Sequence, residues 1–438
     1  MIKEELLAQF EQRYNQEPAN AAVEHAIQAV GFKKASLNLE TKRRHSFMFS
    51  DETKQGPITN QKHSGRCWMF AALNSSRIQT MEKLKDKKFD FSKTYTIFYD
   101  KLEKSNTFLE NILKTADKPT SDREVMAILT SGADDGGYWE FATGLLKKYG
   151  NVPAAIMPET HNSEDTTEFN KILNAFLRQF AFELRTLVKD GADDATIQAK
   201  KDEQLYFVYT LLVKAFGQVP KTFTYSYRDD DDKFHKIENI TPQDFFNEYV
   251  GVDFDDMTNL INAPMEGRPY DKTYTLKNLY SVYEAGGLKF LHKPIEVLKE
   301  AAIKAIKDNT PLWFACDVTT LAARELGILD SDIYAYDETL GRKVTLDKGQ
   351  MLEYHVAAIT HAMNLVGVDL DQNGKPLTWK IENSWGEKNG KDGVFSMSDE
   401  WFDQFVYELA VPNRYLDSEI IEQAKQDPIE LEMWDPFM

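Results

Sequence analysis

The strongest constraint on the fold is a change of hydrophobic period along the chain. Met69, Phe70, Leu73, Ile78 and Met81 fall on one stripe of a helix predicted from Cys67 to about Lys85. Phe169, Ile172, Leu173, Phe176, Phe180, Leu184 and Leu187 keep the same spacing until Gly191 stops it. A further helix is predicted over 194–216, punctuated by Gly217 and Pro220. Beyond residue 310 the pattern becomes short apolar runs, so 312–316, 361–368, 377–382 and 394–397 read as strands, with 371–374 the turn between the second and third. Helices first and strands later predict an α+β protein.

Smaller features fill in the rest. Ala21, Val23, Ala26, Ile27 and Val30 predict an early helix ending at Gly31. The basic island Lys42-Arg43-Arg44-His45 reads as a solvated turn or subunit contact. Alternation in 222–227 and 233–237 predicts a hairpin with Asp229 to Asp232 as its solvated tip.

Composition excludes several classes of function. The 438 residues carry 52 Lys and Arg against 70 Asp and Glu, a net charge of −18 that disfavours nucleic-acid binding. Two cysteines, Cys67 and Cys316, provide no disulfide framework. The charged start, Lys3-Glu4-Glu5, lacks the apolar stretch of a signal peptide, and no apolar run is long enough to span a bilayer. A soluble cytoplasmic protein is expected. Asp369, Asp371, Asn373 and Gly374 begin like a calcium loop, but Lys380 stands where the bidentate carboxylate belongs. No zinc or nucleotide signature occurs, and the glycines of 132–137 lack the lysine of a phosphate cradle.

The chemistry concentrates in Gln61-Lys62-His63-Ser64-Gly65-Arg66-Cys67-Trp68. Gly65 permits a sharp turn, and Cys67 then sits at a helix N-terminus, where free backbone N–H groups and the helix dipole favour a thiolate. Gln61 on the same loop can supply an amide N–H to an oxyanion beside that of Cys67. The competing reading is a buried structural cysteine. A thiolate nucleophile needs an imidazole and a group to orient it. His361 opens a predicted strand, and Asn383 follows the strand that returns from it. Trp385 can cover their hydrogen bond from water. His355 and His63 are weaker bases by placement, and Cys316 reads as a core thiol.

Gln61, Cys67-Trp68, His361 and Asn383-Ser384-Trp385-Gly386, in that order, resemble the papain-type cysteine peptidases. Ser64 stands where secreted members carry a cysteine. His361 lies 294 residues after Cys67 (361 − 67), against roughly 130–150 in typical members. A papain-like core with a large insertion and extensions at both ends resembles the bleomycin hydrolase/aminopeptidase C family. That resemblance also runs through Asp135-Gly136-Gly137, Trp313 to Val318 and Trp434-Asp435-Pro436.

The resemblance implies five regions: an N-terminal extension (1–60), a helical half (61–160), a mainly helical insertion (161–305), a β-rich, barrel-like half (306–412) and a C-terminal arm (413–438). It implies a homohexamer enclosing its active sites, no metal or organic cofactor, and peptide substrates paired with the backbone around Asp135, Gly136 and Gly137. It also implies an arm, here ending in Phe437 and Met438, that lies in the cleft. Family aminopeptidases continue about four residues further, so this arm reaches roughly 13 Å less far. That departure resembles endopeptidase E. The expected activity is therefore a thiol endopeptidase of oligopeptides, with an aminopeptidase and a non-catalytic peptide-binding homologue as alternatives.

Overall fold

A computed structural model describes residues 1–437. Met438 lies outside the described residues. The N-terminal extension carries helices α1 (Glu4–Asn15), α2 (Pro18–Val30) and α3 (Leu39–Arg44), with a single helical turn at Phe32–Ala35. Gly31 ends α2 with φ of 79°, as its position predicts. The basic island is no solvated turn: Asn38 caps α3 across it, and His45 turns inward. There His45 Nδ1 pairs with Ser396 Oγ at 2.8 Å and Nε2 with Asp330 at 2.9 Å.

The helical half is built on α4 (Cys67–Leu84), α5 (Lys93–Lys114) and α6 (Trp139–Tyr149). Residues on every side of α4 are buried, so it runs through the interior instead of lying on a surface. Helices α7 (Thr167–Lys189) and α8 (Asp194–Phe216) follow and pack against α5. The predicted hairpin is β1 (Phe223–Arg228) and β2 (Phe234–Ile240). Its tip is partly buried, because Asp229 turns back to accept from the backbone of Asp231 and Lys233 and to pair with His235.

The helical pattern of 161–305 holds for its first half. From residue 257 the chain contributes β3 (Met257–Ile261), β4 (Thr273–Leu276) and β5 (Phe290–His292) to the main sheet. That sheet continues with β6 (Leu312–Cys316), β7 (His361–Leu370), β8 (Pro376–Glu382), β9 (Val394–Ser398), β10 (Val406–Pro412) and β11 (Ile429–Leu431). The order is β11-β4-β5-β3-β10-β6-β7-β8-β9, extended by two-residue strands. The four strands expected from sequence are thus present, and β7 and β8 form the expected hairpin, closed by Asp371 to Gly374. Among the described residues no helix is long and apolar enough to cross a membrane.

Two side-chain donors lock α4 onto this sheet. Trp313 Nε1 on β6 donates to the Trp68 carbonyl at 3.0 Å, and Asn364 Nδ2 on β7 to that of Ala71 at 2.9 Å. The first turn of α4 is thereby held over the start of β7.

Candidate active site

Register brings the chemistry-bearing residues together. Thr59, Asn60 and Gln61 pair as an extended segment with 384–386: Gln61 N–H donates to the Ser384 carbonyl at 2.8 Å, and Gly386 N–H to that of Thr59 at 3.0 Å. The loop before α4 is thus tied directly to the residues that follow β8. Cys67 and His361 line one cavity of about 290 Å³, together with Gly136, Gly137, Trp313 and Ala362.

Asn383 sets the state of the imidazole. Its Oδ1 accepts the backbone N–H of Ser384 at 2.7 Å, which only the oxygen of the amide can do. The same Oδ1 lies 2.9 Å from His361 Nε2, so Nε2 carries the proton and Nδ1 is left with a free lone pair. Trp385 stacks on the His361 ring at 4.6 Å, and Arg324 lies over the Trp385 indole. Trp385 is thus packed on the ring of the His361–Asn383 pair and does not line the cavity. Burial holds His361 down at about 4, against the pull of Asn383, so the ring is neutral near neutral pH.

The thiol differs from the expectation of a simple thiolate. Burial pushes Cys67 up, while N–H groups of Ala362, Trp68 and Cys67 itself pull it down. Burial opposes each charge taken singly. Opposite charges created close together would offset part of that cost. Cys316 is fully buried on β6, opposite His361 in register, and burial raises its thiol well above the ordinary range. His63 and His355 are exposed, and neither lines the cavity.

Gln61 is clamped beside the thiol loop. Its Nε2 donates to the Ser64 carbonyl at 2.6 Å and its Oε1 accepts from Ser384 Oγ at 2.7 Å. One amide N–H is left over. Buried Arg66 steadies the same loop by a two-pronged pair with Glu159, at 3.2 and 2.7 Å, and by donating to Ser64 Oγ. Sequence reasoning passed over Arg66 because its partner lies ninety-odd residues away.

The Asp135 carboxylate does not line the cavity. It accepts from Gly65 N–H at 2.9 Å, Asn170 Nδ2 at 2.8 Å and Thr166 Oγ1, and pairs with fully buried Lys101 at 2.7 Å. Lys101 holds it well below the usual carboxylate range. Gly65 is not in the left-handed region; that conformation falls on Lys62 (φ 53°). Gly65 is small because a Cβ there would stand 2.7 Å from the Asp135 Cβ. Gly136 and Gly137 do line the cavity. A Cβ on Gly137 would enter the Trp68 ring at 2.5 Å, whereas Gly136 faces open space. The Gly136 carbonyl already accepts from Lys104, and that of Asp135 from Trp68 Nε1.

The arm also departs from expectation. Strand β11 runs parallel to β4, and Met433 touches the cavity. Asp435 then pairs with Arg268 at 2.7 Å, and Phe437 is fully buried against Phe290. Phe437 therefore anchors in the wall and does not lie along the cleft.

The Peptidase C1-like family matches residues 1–438. Aminopeptidase C of Streptococcus thermophilus is 40% identical over 437 residues, covering 99% of this chain and 97% of that protein. Aminopeptidase E of Lactobacillus helveticus is 40% identical over 430 residues, covering 98% and 97%. The crystal structure of PepW from Lactobacillus rhamnosis HN001 is similar with a TM-score of 0.98 and 42% identity, covering 100% of this chain and 98% of that one. The fold is that of the papain-like cysteine peptidases, and the chain belongs to the Peptidase C1-like family.

Proposed function

We propose that this cysteine peptidase is an endopeptidase of oligopeptides, working in the cytosol through Cys67, His361 and Asn383. Cys67 Sγ attacks the scissile carbonyl as His361 Nδ1 takes the thiol proton. The resulting oxyanion receives the Cys67 backbone N–H and the remaining Gln61 amide N–H. The C–N bond breaks as the imidazolium returns its proton to the leaving amine. Water, deprotonated by His361, then cleaves the thioester and frees the thiol. Asn383 positions the ring and Trp385 keeps water from that hydrogen bond.

One observation is in keeping with internal cleavage: among the described residues of the arm Met433 alone lines the cavity, and Phe437 turns into the wall, so 434–437 leave the rest of the groove open. The names of the relatives favour a second reading, an aminopeptidase. One peptide made with a free and with an acetylated N-terminus separates them by mass spectrometry. Internal cleavage of both forms, abolished by Cys67→Ala, is expected. Stepwise N-terminal loss from the free form alone overturns the endopeptidase reading, and no hydrolysis at all leaves a binding protein.

Assembly into a hexamer belongs to the same proposal. Helix α1 buries no residue and exposes Leu7 and Phe10, in keeping with cover by another copy. Light scattering of the full chain tests this: a monomer at working concentration refutes it.

A further inference from the structure

The indole packed on the His361 ring carries a cation of its own. The Trp385 and His361 ring centres lie 4.6 Å apart with 29° between planes, and the Arg324 guanidinium carbon stands 4.6 Å from the indole centre. Guanidinium and imidazole are therefore no further apart than twice that distance, about 9 Å. Phe395 meets the same indole edge-on at 5.7 Å and limits its rotation.

The backbone puts Arg324 there. Ala322–Ala323 and Ile328–Leu329 form a short antiparallel ladder, whose second strand runs parallel to β9 at Ser396 and Met397. Arg324–Leu326 is the 3₁₀ turn between them, closed by Gly327 N–H donating to the Arg324 carbonyl at 3.2 Å. Gly327 has φ of 66° and presses on the loop that carries Trp385, where a Cβ would stand 2.5 Å from Gly390 Cα. Asn389, next to Gly390, donates from Nδ2 to the Trp385 carbonyl at 2.7 Å. Turn and loop are thus fixed to each other beside the imidazole.

Arg324 is exposed, yet its guanidinium takes no acid as partner: among the described residues it makes no ion pair and no side-chain hydrogen bond. A guanidinium over an indole is held by the ring quadrupole. An imidazolium on the same indole draws on the same quadrupole and is repelled by the guanidinium. Burial is the larger influence holding the His361 proton affinity down, and the Arg324 charge acts the same way.

The other ionisable groups around His361 are its reaction partner or are already engaged. Cys67 comes from α4, and Cys316, opposite on β6, is kept a neutral thiol by burial. Asp317 turns its carboxylate to the N–H groups of Thr319 and Ala358 and to the hydroxyls of Thr319, Thr320 and Thr360. Across the cavity Lys104 pairs with Asp100, and Asp134 accepts from Asn174. Glu408, which the extra residue Tyr407 of a bulge in β10 turns toward the cavity, is pushed well above the carboxylate range by burial.

We propose that Arg324 is a positioning residue of this peptidase: it clamps Trp385 on the His361 ring and, by its charge, sets the pH above which the Cys67–His361 pair reacts. The inference rests on the reading of Cys67 and His361 as the reacting pair. Whichever of the two loses a proton, the pair becomes more negative by one charge, and a cation within about 9 Å of the imidazole favours that step. Arg324 therefore extends activity toward lower pH.

The test compares kcat/KM for one N-acetylated peptide between about pH 4 and 9, at low ionic strength, in the protein, Arg324→Met and Arg324→Lys. Methionine keeps an apolar stem without the charge, and lysine keeps the charge. Arg324→Met is expected to move the acidic limb up by about 0.3–1 pH unit, the reach of one charge at this distance between bulk-water and surface screening. Salt at about 0.5 M is expected to shrink the difference. Arg324→Lys is expected to recover most of it. A limb that stays or moves down in Arg324→Met overturns the inference, as does an Arg324→Lys profile identical to that of Arg324→Met, which would assign Arg324 to packing alone. A second measurement needs no hydrolysis: the pH midpoint of Cys67 alkylation by iodoacetamide is expected to rise in Arg324→Met, and an unmoved midpoint overturns the inference. Failure of every peptide to be cut overturns the peptidase reading instead, while the alkylation midpoint still decides the role of Arg324.

Discussion

Asp135→Asn separates a scaffold residue from a substrate residue. The carboxylate stands 2.7 Å from Lys101 Nζ, whose side chain is fully buried and whose other partner is the Ala133 carbonyl at 2.7 Å. Neutralising Asp135 leaves that ammonium without a counter-charge, which costs about 3–5 kcal/mol. The amide keeps one oxygen for Lys101, so the low end of the range is expected. At about 2.1 cal/mol/K per residue, a chain of this length unfolds with roughly 0.9 kcal/mol/K, so the loss lowers the melting temperature by about 3–4 °C. The sign of the pH dependence follows from Lys101. Because the folded carboxyl is held below its ordinary value, its contribution is complete above the unfolded value near 3.9 and is lost as pH falls further. The gap between the protein and the variant should therefore be full at neutral pH and narrow progressively below about pH 4. Differential scanning fluorimetry over that range measures it. An unchanged melting temperature at neutral pH, or a gap that does not narrow on acidification, refutes the reasoning. A raised KM with unchanged melting would return Asp135 to the substrate.

Two further outcomes are expected. Asn383→Ala frees the His361 ring from its tautomer and should lower kcat by on the order of 10²-fold, with KM little changed, in steady-state assays of one peptide. Iodoacetamide should alkylate Cys67 far faster than Cys316, because Cys67 borders the cavity that His361 also lines while Cys316 is sealed in the sheet; peptide mapping after brief exposure reads the ratio, and equal labelling contradicts the site.

The parts of the site that were legible in the sequence carry local signals. Cys67 follows a loop and opens a helix, His361 opens a strand, and Asn383 follows the strand that returns. Side-chain pairings between distant segments were not legible. Arg66 with Glu159, Asp135 with Lys101 and Asn170, and Glu408 with Asn259 each join residues whose separation no periodicity encodes. Glu408 is the clearest case. Its facing depends on a one-residue bulge, and a shift of one residue exchanges the two faces of a strand. The role of Gly65 was also out of reach, since the residue that crowds it is seventy positions away. The turn of Phe437 into the wall depends on Phe290 and Arg268, which the arm's own composition does not announce.

The long helical excursion that separates Cys67 from His361 is joined to the cleft by its first turns. Thr166 and Asn170 hold the Asp135 carboxylate, Asn174 Nδ2 holds that of Asp134 at 2.9 Å, and Asn174 Oδ1 accepts the Ala133 N–H at 2.8 Å. Those three asparagine and threonine side chains buttress the segment whose next two residues, Gly136 and Gly137, border the reacting sulfur. An engineer pruning the chain to a minimal catalytic unit would find that the cut cannot be made at the base of the excursion. Residues 166–174 must travel with the active half, or the groove loses its back wall.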